Sequence, residues 1–143
     1  MHDERGSVLM LMPVAVLIFL VLGALCVDFG SVFTVKRELS NAAAAAANDA
    51  ASQAIDVDRF YATGDVRLRP EVARAVAERS LASEGLDRLG ATVVDVEIGA
   101  DGATVTVVVR GRARYLFAKD VPGGPAGMDV TASSVAHAAE LAR

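Results

Sequence analysis

The sequence predicts an α+β protein: a long N-terminal helix, its first half membrane-spanning, then a small domain with one helix on a two- to three-stranded antiparallel sheet. Three observations predict it. The stretch Val8–Val27 carries no charged residue. From Ser31 to Ala54 the chain is rich in alanine and free of proline and glycine. Two valine-rich segments, 92–98 and 103–110, alternate in character and are joined by Gly99-Ala100-Asp101-Gly102.

The first stretch is long enough to cross a bilayer. At 1.5 Å per residue its twenty residues reach roughly 30 Å, the thickness of the hydrocarbon core. Its Val, Leu, Ile and Phe side chains sum to roughly −4 to −8 kcal/mol on insertion scales. A core helix of a globular protein would show a polar face, and this one shows none. Pro13 sits near the start, where a missing N–H is best tolerated. A cleaved signal peptide is the main rival. Such peptides have a basic n-region and an apolar run of about 7–15 residues. This run is longer, and Arg5 is opposed by Asp3 and Glu4. Ala24-Leu25-Cys26 makes a poor cleavage site, and Leu25 stands where a lipoprotein signal needs a small residue.

Charge resumes at Asp28. At the edge of the apolar stretch its carboxylate can reach water, and that interfacial reading is the expectation; pairing with a partner's cation or terminal amine is the alternative. Beyond Gly30, apolar residues recur at Val32, Val35, Leu39, Ala42, Ala46 and Ala50 with three/four spacing. Alanine is the strongest helix former. One helix over roughly residues 7–55 is expected, with Gly23 and Gly30 as flex points. A face built from Leu39, Asn41, Ala42, Ala43, Ala46 and Ala50 lets another element approach closely. It can serve either as a plain stem against the chain's own domain or as a packing surface for neighbouring subunits.

From Ile55 to Arg69 the expectation is a loop punctuated by Asp56, Asp58, Gly64 and Asp65. Pro70 suits a first helical turn, with Glu71 beside the positive end of the helix dipole, and predicts a helix over 70–84. In 92–98, Val94, Val96 and Ile98 alternate with Val93, Asp95 and Glu97; in 103–110, Val105, Val107 and Val109 alternate with Thr104, Thr106 and Val108. Gly99–Gly102 supplies turn residues for a hairpin. The odd-numbered phase continues through Ala113, Tyr115 and Phe117, so the second strand runs on past Gly111. Pro122–Gly127 reads as a surface loop and 129–138 as a third strand weakened by Ala and Ser.

Composition excludes several functions. With 143 residues and a net charge of −4, no basic surface for nucleic acid is evident. The single cysteine, Cys26, forms no internal disulfide. His2 and His137 lie at opposite ends of the chain and give no zinc-ligand spacing. No phosphate loop, nucleophile triad or metal cluster is visible, so neither catalytic residues nor a cofactor nor a small-molecule substrate is expected. Asp95 and Glu97, and the row Arg110, Arg112, Arg114, read as solvated strand faces.

The ordered set Glu4-Arg5-Gly6-Ser7, Met12-Pro13, Val27-Asp28-Phe29-Gly30 and Lys36-Arg37-Glu38-Leu39-Ser40-Asn41-Ala42-Ala43 resembles the N-terminal region of the TadE/TadG-like proteins of Flp (Tad) pilus assembly. It covers Glu4 to Ala54 and is closest to the TadG-like pattern. The resemblance implies a pilin-like architecture and a structural role in assembling or anchoring a pilus. It also implies membrane lipid and other pilus-assembly subunits as partners, with Asp28, Gly30 and Pro13 shaping the membrane exit. Gly6 is followed at the fifth position by Leu11 rather than Glu, which argues for a retained helix over prepilin-peptidase cleavage. The implied layout is a cytoplasmic tail (1–7), a transmembrane helix (8–27), a stem (28–55) and an extracytoplasmic domain (56–143). Lys36 and Arg37 outnumber Arg5 around the span, so the positive-inside rule alone gives the reverse orientation. A membrane-tethered or secreted extracytoplasmic binding module unrelated to pili is the alternative.

Overall fold

The computed structural model describes the backbone of residues 5–138 and the side chains of residues 11–138. Residues 1–4 of the expected cytoplasmic tail and the last five residues of the chain lie outside that range. Helix α1 runs unbroken from Arg5 to Gln53, about 74 Å at the rise of an α-helix. Pro13 falls inside it, without ending it. From Leu11 to Val27 nearly every side chain is exposed to the surroundings, around the whole circumference. An apolar surface of this extent is not a water-facing one; it belongs against lipid or another protein.

From Leu39 onward the same helix becomes the centre of a core. Leu39, Ala42, Ala43, Ala46, Ala47, Ala50, Ala51 and Ala54 are all buried. They form a stripe two residues wide that recurs every turn. On one flank lies a three-stranded antiparallel sheet in the order β1-β2-β3, with β1 Thr92–Ile98, β2 Thr104–Arg114 and β3 Gly127–His137. On the other lies α3, Pro70–Ser83, which contributes Ala73, Val76, Ala77 and Leu81. Methyl-sized side chains on α1 let both neighbours approach closely. The sequence places the helix expected over 70–84 on the sheet and lets the stem pack against the same domain. The stem is the main cover of the sheet, because its alanine stripe is flat enough for two long strands.

Strands β2 and β3 run beside the stem for their whole length. Eleven residues of strand extend about 36 Å, and the helix from Ser31 to Gln53 rises about 33 Å. Gly102 accepts from the Leu68 N–H at 2.8 Å, and Arg69 donates to the Ala54 carbonyl at 2.8 Å, joining the far turn to the end of the stem. The inward phase of β2 is Val105, Val107, Val109, Gly111 and Ala113, as the alternation predicts, and it continues straight through Gly111. A side chain at Gly111 would crowd the stem: a Cβ would lie 3.0 Å and 3.1 Å from the two methyl carbons of Leu39. In the β1–β2 turn, Gly102 adopts φ +73°, and the Asp101 carboxylate accepts the Ala103 and Thr104 N–H groups at 3.1 Å and 3.0 Å.

Two local features differ from expectation. A bulge between Val93 and Asp95 breaks the simple alternation of β1. Val93, Val96 and Ile98 turn toward the core, and Val94 is left 43% exposed. The segment expected to be a loop contains α2, Val57–Thr63, capped by the Asp56 carboxylate accepting the Arg59 N–H at 3.2 Å and closed by Gly64. The aspartate that reads as loop punctuation is also a good N-cap.

Candidate functional site

The feature that links anchor to domain is Asp28. Its side chain is only 5% exposed, although it sits where the apolar stretch ends. Oδ1 accepts the N–H of Leu116 at 2.7 Å and of Phe117 at 3.1 Å; Oδ2 accepts the N–H of Ala118 at 2.8 Å. These are three successive backbone donors on the segment joining β2 to β3, at the start of a short 3-10 turn, Ala118–Asp120. Consecutive N–H groups that converge in this way form an anion-binding concavity. Here the occupant is the chain's own carboxylate.

The electrostatics agree with the geometry. Burial acts to raise the carboxyl's pKa, and the donors, Ala118 foremost, then Phe117 and Leu116, outweigh it, so the group is held below its ordinary 3.8. One turn on, the Ser31 hydroxyl donates to the Asp28 carbonyl at 2.7 Å and faces the Arg114 carbonyl at 3.5 Å. Asp28 therefore neither projects into water nor needs an outside cation. It pins the β2–β3 connection to the helix where the apolar stretch ends, instead of reaching water as expected. The sequence carried one half of the signal, an acid directly after an apolar run. The other half is invisible there, because backbone N–H groups have no residue signature.

The remaining expected residues fall into two groups. Leu39, Ala42, Ala43, Ala46 and Ala50 are buried inside the chain's own fold, and Asn41 is exposed on the opposite side. Of the two uses left open for that face, the structure fills it with the sheet and α3. Pro13 and Gly30 lie in α1 away from the Asp28 bonds; a Cβ at Gly30 would meet nothing.

Elsewhere the stem is tied to α3 by Ser80, whose buried hydroxyl donates to Asp49 Oδ2 at 2.6 Å. At the rim, Arg88 donates to Glu38 Oε2 at 2.6 Å. The outward row Arg110, Arg112 and Arg114 is exposed, as expected from its phase. Among the described residues no three His, Cys, Asp or Glu side chains converge as metal ligands. A groove of about 200 Å³ lies between helix and loop and is lined by Leu25, Asp28, Phe29, Tyr115, Ala118 and Pro125.

Residues 6–53 match the family model described as putative Flp pilus-assembly TadE/G-like. The match ends with the last residue of α1, so it covers the apolar segment and the stem, about a third of the chain, and leaves the sheet outside. It falls on the segment whose residues carry the resemblance. Comparison with curated proteins and with solved structures gives no match.

Proposed function

We propose that this protein is a single-pass membrane component of Flp pilus assembly that acts structurally, with no catalytic role. The observation that carries the proposal is the continuity of α1. One helix holds an all-round apolar segment and the alanine stripe of the domain core, and this same segment is what the TadE/G-like model matches. In this reading residues 8–27 cross the cytoplasmic membrane, and the sheet domain stands outside the cytoplasm. The mechanism is mechanical. Force or position at the domain passes to the membrane helix without a hinge, because anchor and core are one rod. The Asp28 bonds brace the domain at the exit.

Because the stem alanines are covered within the chain, contacts with other pilus-assembly subunits fall on the membrane segment and on outward surfaces. Crosslinking of the full-length protein in its native membrane, followed by purification and mass spectrometry, should recover Flp pilus-assembly components. Recovery of the protein alone from crosslinked, pilus-producing cells refutes the role. For orientation, a cysteine at Ala100 in a Cys26→Ala background should react with a membrane-impermeant reagent on intact cells permeabilised only at the outer membrane. Labelling only after the inner membrane is broken reverses the topology.

A further inference from the structure

The end of the domain nearest the membrane carries apolar side chains that no described residue covers. Leu116, Phe117 and Val121, on the β2–β3 connection, are each about half exposed or more. Phe29 and Phe33, on the helix beside them, are each 71% exposed. An exposed loop with three large apolar residues is unusual on a water-facing surface. Its depth is fixed. The N–H groups of Leu116, Phe117 and Ala118 bond directly to the carboxylate of Asp28, the residue that follows the last apolar position of the span. The loop is therefore held at the height where the helix leaves the hydrocarbon.

We propose that the 115–121 turn is a second membrane contact, an interfacial wedge that places Leu116, Phe117 and Val121 in the headgroup–acyl boundary beside the helix. The occupant of this surface is lipid, because the surface is continuous with the lipid-facing side of α1: Leu25 on the helix and Tyr115 on the loop line one groove. Phe29 belongs to the interfacial collar, where aromatic rings are favoured. Lys119 is exposed on the same turn and can lay its stem along apolar surface with its ammonium at the headgroups. The contact fixes what a lone spanning helix leaves free, the rotation and tilt of the domain over the bilayer. Asp28 acts as the positioning residue, holding the wedge at the correct depth.

The proposal rests on the spanning reading of residues 8–27, and its test separates the two. The full-length protein with Cys26→Ala carries one bimane-labelled cysteine at Phe117, Val121, Ala100 or Leu20 and is reconstituted in phosphatidylcholine–phosphatidylglycerol vesicles. Quenching is read with nitroxide lipids labelled at the headgroup or along the acyl chain. Replacing the Phe117 side chain leaves its backbone bond to Asp28 available, and Lys119→Cys serves as a second probe of the same turn. Labels at 117, 119 and 121 should lose about half their emission or more to the shallow quencher, as an interfacial element does. The label at 100, at the far turn, should lose none, and the label at 20 should respond to the deep quencher. Quenching at 20 with none at 117, 119 and 121 overturns the wedge and leaves the spanning helix standing. No quenching at 20 overturns the spanning reading, and the wedge with it.

Discussion

Leu39 and Gly111 are where stem meets sheet most tightly, and a double-mutant cycle on them measures that contact. Leu39 is fully buried, and its two methyl carbons stand 3.0 Å and 3.1 Å from where a Cβ on Gly111 would lie. Leu39→Ala removes three buried carbons and should cost about 3 kcal/mol, within the range for such truncations. Gly111→Ala adds a methyl that needs about 0.5 Å more room than it has, against a usual carbon–carbon separation of about 3.5–4.0 Å. Its overpacking cost is partly offset by the better strand behaviour of alanine, leaving about 1 kcal/mol unfavourable. With Leu39 truncated, the obstructing carbons are gone, and the next atom is the Leu89 carbonyl, at 3.4 Å. The added methyl then fills part of the cavity. The double variant should be more stable than the sum of the singles predicts by about 1.5 kcal/mol, a coupling typical of contacting residues. Hydrogen exchange of the Val107 and Val109 amides, in the full chain in micelles, reads the domain while the membrane helix stays intact. Additivity within about 0.3 kcal/mol would mean that Leu39 does not bear on β2.

Three further predictions test other joints. Asp28→Asn keeps one acceptor oxygen but turns an amide donor toward the Ala118 N–H; exchange at 116–118 should quicken while the amides of 104–109 stay protected. Because the folded-state pKa of Asp28 lies below its unfolded value, its contribution is complete above about pH 3.8 and fades as pH falls through the lowered native value. Loop exchange in the wild type should therefore rise at acid pH, in excess of the intrinsic rate change, and the Asn variant should not show that rise. Ser80→Ala removes the buried donor to Asp49 and should lower stability by about 1 kcal/mol in urea unfolding. Val94→Lys, at the exposed bulge, should change stability by less than about 0.5 kcal/mol, whereas Val96→Lys, toward the core, should cost more than about 3 kcal/mol. The opposite order in urea unfolding would mean that β1 lacks the bulge.

Periodicity made the long elements legible. The run from Ser31 to Ala54 lacks any helix breaker, and β2 keeps one phase from Val105 to Ala113, so both follow from spacing alone. The Val94 bulge was hidden because Val93 and Val94 are the same residue type, and either phase satisfies an alternation count. Helix α2 was masked by Asp56, which serves equally well as a turn residue and as a cap. The Asp28 bonds join positions almost ninety residues apart through backbone groups, and no pattern in the side chains encodes that pairing. What hinted at it was a charge placed where an apolar helical stretch ends, next to a chain long enough to come back and meet it.

The central claim is that one uninterrupted helix serves as both membrane anchor and domain core. A spin–spin distance between labels at Leu20 and Asn48, both exposed, in the full-length Cys26→Ala protein reconstituted in vesicles, tests it directly. A continuous helix separates these positions by about 42 Å along its axis, and the distribution should be narrow and centred near that value. A centre well below it, or a broad distribution from bending at Gly23 or Gly30, would contradict the claim.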